Sequence, residues 1–245
     1  MRLSSRKETT QHSRIEFDAL DVEWLFSTLD PLPDAPVALV DIDSTIMNTA
    51  PRNRGILEAA RRLFPQIEAV LSTLTEEDLG WGVAGAVARR AGLSDDDRAC
   101  LEAFWAERFF SNTWVACDHP YDGVRSFLSA LAKAGFHIVY LTGRDEPGMS
   151  EGTVRSFRSH ELPTGTNTKF LFKPDASMDD IDFKRRVLAD VDRIGTVVLC
   201  IDNEPGNANT FRRAFPDALV LLIDTITSPQ PEPLLDGIHL FRRYP

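Results

Sequence analysis

Apolar and polar positions follow two different rhythms along this chain, and the changes of rhythm divide it. From residue 15 to 29, Phe17, Leu20, Trp24, Leu25 and Leu29 fall near helical spacing, which predicts a short helix. Pro31, Pro33 and Pro36 then predict a stiff linker, and Val37–Val40 reads as the first core strand. Between 51 and 116 the pattern is helical and strand-poor. Ile56, Leu57, Ala60, Leu63 and Phe64, then Ile67, Val70, Leu71 and Leu74, recur every three or four positions, with Pro65 dividing the stretch. Ser94, ahead of Asp95, Asp96 and Asp97, predicts the N-cap of a further helix carrying Leu101, Phe104, Trp105, Phe109 and Phe110.

Beyond residue 117 the two rhythms alternate. Helices are predicted over 123–134 (closed by Gly135), 154–160, 183–191 and 208–215, and strands over 136–141, 170–172, 196–201 and 219–223, with a final edge strand over 237–241. Strand–helix alternation implies a parallel sheet covered on both faces. The expected class is therefore α/β, a doubly wound parallel sheet of Rossmann-like form with an inserted all-helical subdomain. Residues 1–36 would be tail, helix and linker, 37–50 and 117–245 the core, and 51–116 the insert.

Composition narrows the partners more than the fold. A chain of 245 residues accommodates one sizeable core plus an insert. A formal charge of −10 disfavours nucleic acid and anionic membrane surfaces. The cysteines, Cys100, Cys117 and Cys200, are odd in number and far apart, which speaks against a disulfide framework or zinc ribbon and for a reducing, cytoplasmic setting. Cys200 sits in an apolar strand pattern and reads as buried filler. No apolar run has transmembrane length, and Met1–Arg14, polar and mildly basic, lacks a signal-peptide apolar region and reads as a disordered tail, with a Ser- and Arg-bearing transit peptide as the alternative.

Three predicted strand ends carry polar clusters: Asp41-Ile42-Asp43-Ser44-Thr45, Thr142-Gly143-Arg144-Asp145, and Asp202-Asn203-Glu204 continuing to Asn207. Residues two apart on a strand share a face, so Asp41 and Asp43 would project together. Two close anions call for a cation or a shared proton. In open parallel sheets, ligands bind beyond the carboxyl ends of the strands, where these clusters can converge.

In order and type the clusters resemble the haloacid dehalogenase-like superfamily of phosphohydrolases. The matching residues are Asp41-Ile42-Asp43-Ser44-Thr45, Thr142-Gly143-Arg144, a lysine near a helix start (Lys184), and Asp202 with Asn203 and Asn207. The likeness spans about residues 37 to 225. It implies that Asp41 attacks phosphorus and forms an aspartyl-phosphate, and that Asp43 protonates the leaving oxygen and then takes a proton from water. It implies Mg²⁺ as cofactor, held by the Asp41 carboxylate, the Asp43 carbonyl, Asp202 and Asn207 or Asn203. Lys184 would balance charge; Thr142, with main-chain N–H groups, would hold phosphoryl oxygens; and Ser44, Gly143 and Arg144 are expected on the substrate side. An acid at position 43 favours phosphate-ester cleavage over dehalogenase or phosphonatase chemistry.

There are departures and open alternatives. An Asn stands where the family's fourth motif often has a second carboxylate, and Lys173 competes with Lys184 for the lysine role. Arg52 and Arg54 could meet a second substrate anion or form a solvated helix face. Trp81, Trp105 and Trp114 could shape a pocket or pack the insert's own core, and His119 and His137 read as structural. An insert between the first and second motifs resembles the family's helical caps, which suit small molecules. The expected partner is therefore a small phosphorylated metabolite, with no nucleic acid and no membrane; oligomeric state stays open. The rival readings are a phosphatase for protein or nucleic-acid ends, a phospho-acceptor signalling domain, which would be shorter and lack the insert, and a catalytically silent binding module.

Overall fold

A computed structural model describes residues 14–245. The expected tail, apart from Arg14, lies outside the described residues. The chain begins with β1 (Glu16–Ala19), α1 (Val22–Leu29), β2 (Pro36–Val40) and the short β3 (Met47–Asn48). Only helices and turns follow until residue 117: α2 (Ala50–Ala60), α3 (Glu68–Leu71), α4 (Val83–Arg90) and α5 (Asp95–Phe109). The chain then returns through β4 (His119–Pro120), α6 (Val124–Lys133), β5 (His137–Asp145), α7 (Glu146–Ser159), β6 (Thr168–Lys173), α8 (Asp180–Val191), β7 (Thr196–Asp202), α9 (Pro205–Ala214), β8 (Leu219–Ile223) and β9 (Ile238–Arg243).

Seven strands form one sheet in the order β1-β9-β8-β7-β2-β5-β6. Every pairing in it is parallel. Alternation along β2 shows why both faces need helices. Ala38 and Val40 belong to one buried cluster and Val37 and Leu39 to the other. Each large apolar side chain so buried contributes about 1.5–3 kcal/mol. Phe183, Leu188 and Val191 of α8 and Phe211 of α9 cover the Val37–Leu39 face, while Val124, Phe127 and Leu131 of α6 cover the other. The helices between β3 and β4 have a third cluster of their own, centred on Leu57, Ile67, Val83, Val87 and Leu101. Their two crossings to the sheet are tied together where β3 and β4 pair antiparallel, Met47 with Pro120 and Asn48 with His119.

Three expectations are corrected. Residues 15–29 are not one helix: Glu16–Ala19 is a strand, and α1 starts only after Asp21, whose carboxylate accepts from Trp24 N. Phe17 sits opposite Phe241, so pairing with β9 overrides local periodicity that a short apolar run encodes only weakly. Val37–Val40 is consequently the second strand in the chain, and the last strand lies inside the sheet between β8 and β1 rather than at its edge. The strand expected to end at 141 runs on to Asp145, whose carboxylate then caps α7 by accepting from Gly148 N. Ser94 caps α5 as the sequence indicates, accepting from Asp97 N. Among the described residues no helix is long and apolar enough to cross a membrane.

Gly123 precedes α6 with φ +83°, and a β-carbon there would collide with the Pro245 carbonyl. Gly123→Ala is expected to cost about 1–3 kcal/mol, read as a lower urea midpoint at unchanged slope. An unchanged midpoint would show that the C-terminal residues do not press on this turn.

Candidate active site

The three polar clusters meet because β7, β2 and β5 are consecutive neighbours in the sheet, and the chain's winding reverses direction between β7 and β2. Strand parity then sorts their side chains. Asp41 continues the row Val37–Leu39, and Asp202 continues the row of Cys200; both rows face α8. Lys184, in the first turns of α8 beside Phe183, reaches into the gap. Its Nζ donates to Asp41 Oδ1 at 2.7 Å and to Asp202 Oδ2 at 2.8 Å, across 143 and 18 residues of chain. Lys173 instead bonds Asp180 Oδ1 at 2.6 Å and the Met178 carbonyl at 3.1 Å. The geometry therefore brings Lys184, not Lys173, to the acid pair.

Around that lysine the acids are fully partnered. Asp41 Oδ2 accepts from Thr45 Oγ1 at 2.7 Å, and the same hydroxyl lies 3.1 Å from Asn203 Oδ1. Asp202 Oδ1 accepts from Glu204 N at 2.8 Å and Asn207 Nδ2 at 3.1 Å. Burial pushes the Asp41 carboxyl up to about 7; Lys184 pulls it down and Asp202 adds to the rise. Burial works against a charged Lys184 as well, yet the two carboxylates hold its ammonium above the ordinary range.

One feature of this cluster points to a cation. Asn207 Oδ1 is buried and has no hydrogen-bond partner. With the Asp41 and Asp202 carboxylates, and the Asp43 carbonyl that the sequence resemblance implies, it would make an all-oxygen donor set of the type hard divalent ions prefer. The set contains only two carboxylate side chains, and among the described residues no cluster of three or more His, Cys, Asp or Glu side chains is placed to hold a metal. The residues fit Mg²⁺ as a site completed by an amide, the main chain and water, not as a carboxylate cage.

Asp43 has different neighbours from Asp41. Arg144 binds it two-pronged, Nε to Oδ2 at 2.7 Å and Nη2 to Oδ1 at 2.9 Å, and Arg52 Nη2 reaches Oδ1 at 2.5 Å. Asp118 closes the ring behind them: Arg144 Nη2 lies 2.7 Å from its Oδ2 and Arg52 Nε 2.9 Å from its Oδ1. Arg52, Arg144 and Asp118 are buried, while the Asp43 side chain stays 32% exposed. Burial raises the cost of charging Asp43, but Arg144 and Arg52 outweigh it and hold the carboxyl well below the usual range. Burial pushes the Asp118 carboxyl up against the pull of both arginines.

The remaining expected residues divide. Ser44, Gly143 and Arg144 line a cavity of about 670 Å³ together with Asp41, Asp43, Lys184 and Asn207. Ser44 holds φ +57° at the turn out of β2, a backbone region unusual for serine, with its N–H donating to the Met47 carbonyl at 2.8 Å. Gly143 is required by space, since a β-carbon there would strike the Asp180 carboxylate at the start of α8. Thr142 and Asp202 are fully buried and do not line the cavity. Thr142 stands where the register of β5 with β6 shifts, and its Oγ1 accepts from Arg144 N at 3.2 Å. Arg144 directs its guanidinium N–H groups to Asp43, Asp118 and Thr153.

Arg52 is fully buried and so does not form a solvated helix face, while Arg54, half-buried, donates to the Leu74 carbonyl at 2.9 Å and does not line the cavity. Trp81 lies outside the helical core at 62% exposure, lines the cavity and donates to Glu204 Oε1 at 3.1 Å. Trp105 packs on that core and lines the cavity too. His119 meets His160 edge-on at 5.5 Å and holds no part of the site. Sequence reading did not single out Asp118, because a lone acid at the end of an insert, far from any motif, carries no spacing signal; Glu204 stood in the third polar cluster with no role of its own.

No family model matches the chain, and no curated protein matches it. Solved structures do. A phosphatase-assigned protein from Clostridium difficile superposes at TM-score 0.61 with 12% identity over 86% of this chain and 95% of that one. A phosphatase-assigned protein from Clostridium acetobutylicum gives 0.54 at 14% identity over 84% and 93%. A haloacid dehalogenase-like family hydrolase from Streptococcus pneumoniae gives 0.52 at 8% identity over 84% and 93%. The chain has the fold of the haloacid dehalogenase-like hydrolases, an α/β Rossmann-like core of seven parallel strands flanked by helices.

Proposed function

We propose that this chain is a Mg²⁺-dependent phosphatase that hydrolyses a small phosphomonoester through an aspartyl-phosphate on Asp41. The observation that carries the reading is Lys184 Nζ held between Asp41 and Asp202 at adjoining strand ends of this fold. A carboxylate does not approach a phosphate dianion unless positive charge covers the repulsion. Lys184 supplies part of that charge. A divalent cation held by Asp41, Asp202, the Asp43 carbonyl and Asn207 Oδ1 supplies the rest when bound.

In the first step an Asp41 oxygen forms a bond to phosphorus as the ester P–O bond breaks, and the departing oxygen takes the electron pair. The departing oxygen takes a proton from Asp43, which first binds one from solvent as the substrate enters and the hold of Arg144 and Arg52 loosens. In the second step water attacks the aspartyl-phosphate, Asp43 accepts the water's proton and Asp41 is regenerated. The ion pairs with Arg144 and Arg52 keep Asp43 ionised between turnovers and lower its proton affinity. Ser44, Gly143 and main-chain N–H groups at the ends of β2 and β5 border the phosphoryl position. The helices between β3 and β4 act as a cap: Trp81 reaches across to Glu204 on the sheet side, and the narrowed cavity suits a small substrate. Three unpaired cysteines fit the cytoplasm as its setting.

Phosphate release from a panel of small phosphomonoesters, assayed with Mg²⁺, tests the reading. Chelation with EDTA is expected to reduce release to the background rate, and added Mg²⁺ to restore it. Turnover that persists after chelation would remove the metal from the reaction, and no release from any member of the panel would remove the function.

A further inference from the structure

The cavity between the helices and the strand ends has a chemical character of its own. Its wall on the helical side is aromatic. Trp105 and Phe109 stack with centroids 4.6 Å apart, and Phe110 stands edge-on to Phe109 at 5.1 Å. Trp81 closes another side, and Met149 and Ile226 add apolar surface. Both indole N–H groups are already used, by Asn53 Oδ1 at 2.7 Å and Glu204 Oε1 at 3.1 Å, so what the rings offer a ligand is surface rather than hydrogen bonds.

The charge pattern is equally one-sided. Among the described residues, seven carboxylates and three cations line the cavity. Each of those cations is in an ion pair: Arg144 with Asp43 and Asp118, Lys173 with Asp180, Lys184 with Asp41 and Asp202. A phosphoryl group beside Asp41 has Lys184 within reach. A second anion on the far end of a substrate would meet aromatic rings and carboxylates, with no unpaired cation among the described lining residues to receive it.

We propose that the leaving group is aromatic and carries no second anionic group. The proposal rests on the phosphatase reading for the position of the phosphoryl group, and it excludes bisphosphates, phosphorylated carboxylic acids and other doubly anionic esters as preferred substrates. The ring would lie against Trp105 and Phe110. Aromatic pairing there is worth about 0.5–1.5 kcal/mol beyond the area buried.

Phosphonates separate this proposal from leaving-group reactivity, because their P–C bond is not hydrolysed as an ester. Phenylphosphonate, propylphosphonate and 4-carboxyphenylphosphonate would be titrated into the full chain with Mg²⁺, following tryptophan fluorescence, since Trp81 and Trp105 both border the cavity. Phenylphosphonate is expected to bind about tenfold more tightly than either of the others, a difference of about 1.4 kcal/mol. Phe110→Lys, at a position 45% exposed, is expected to shift the ratio toward 4-carboxyphenylphosphonate. Ratios taken on one protein sample are insensitive to any loss of folded material. Equal or tighter binding of the propyl or carboxyphenyl compound by the wild-type chain overturns the proposal. Hydrolysis of acetyl phosphate, measured separately, reports on the phosphatase reading: selective binding without hydrolysis would sink that reading and leave the aromatic pocket standing, whereas hydrolysis without selectivity would do the reverse.

Discussion

Asp41→Asn is expected to lower phosphate release by more than about 10³-fold, as removal of a covalent nucleophile does elsewhere, while leaving the chain folded. The amide is close in size and shape and can still accept the Thr45 hydroxyl or the Lys184 ammonium through its oxygen, and Lys184 keeps Asp202. What it lacks is the anionic oxygen that attacks phosphorus. The stability expectation follows from linkage. Burial, with a contribution from Asp202 and against Lys184, raises the Asp41 carboxyl from 3.8 to about 7, so over that interval the folded state binds the proton more tightly and stability falls as pH rises. A neutral amide does not suffer that fall. At pH 8 without added metal, the variant should unfold at a temperature no lower than the wild-type chain. Turnover close to wild type would rule out Asp41 as the phosphorylated group; a folded, inactive variant is the expected result.

The largest stability effect is expected from Arg144→Met, a loss of about 3–5 kcal/mol in urea unfolding. Arg144 is 1% exposed and joins Asp43 and Asp118, and the Asp118 side chain is fully buried. Removing the guanidinium leaves two carboxylates to Arg52 alone, in surroundings where burial already opposes ionisation of Asp118. The cost is that of a buried charge left short of its partner rather than the intrinsic worth of one ion pair. Combining Arg144→Met with Asp118→Asn removes a charge along with its partner and should recover part of the loss. A single variant within about 0.5 kcal/mol of wild type, the range of an ordinary surface change, would mean that the ring of four charged side chains does not hold the crossing between sheet and helices.

That ring shows where sequence reading stopped. Asp43, Arg52 and Arg144 were each visible as charged residues near a motif, but Arg144 meets Asp43 across 101 residues, and Asp118 belongs to no motif at all. Arg52 could be read as a solvated face because its spacing says nothing about what covers it. The same holds at the first strand: Phe17 and its neighbours satisfy a helical pattern locally, and only a partner more than two hundred residues away makes them a strand.

What the residues alone determined was the alternation of strand and helix, the helical stretch between 51 and 116, and the chemistry placed at three strand ends, with Asp41 foremost. These rest on short-range periodicity and on residue type, which a linear pattern carries. Only the tertiary structure decided that β7, β2 and β5 lie side by side, that Lys184 rather than Lys173 joins the acids, that Thr142 is buried with its hydroxyl on Arg144 N, and that the cavity is aromatic and, among the described residues, short of unpaired cations. Strand order and side-chain partnership depend on which distant surfaces bury each other, and that free energy belongs to the packed chain rather than to any segment of it.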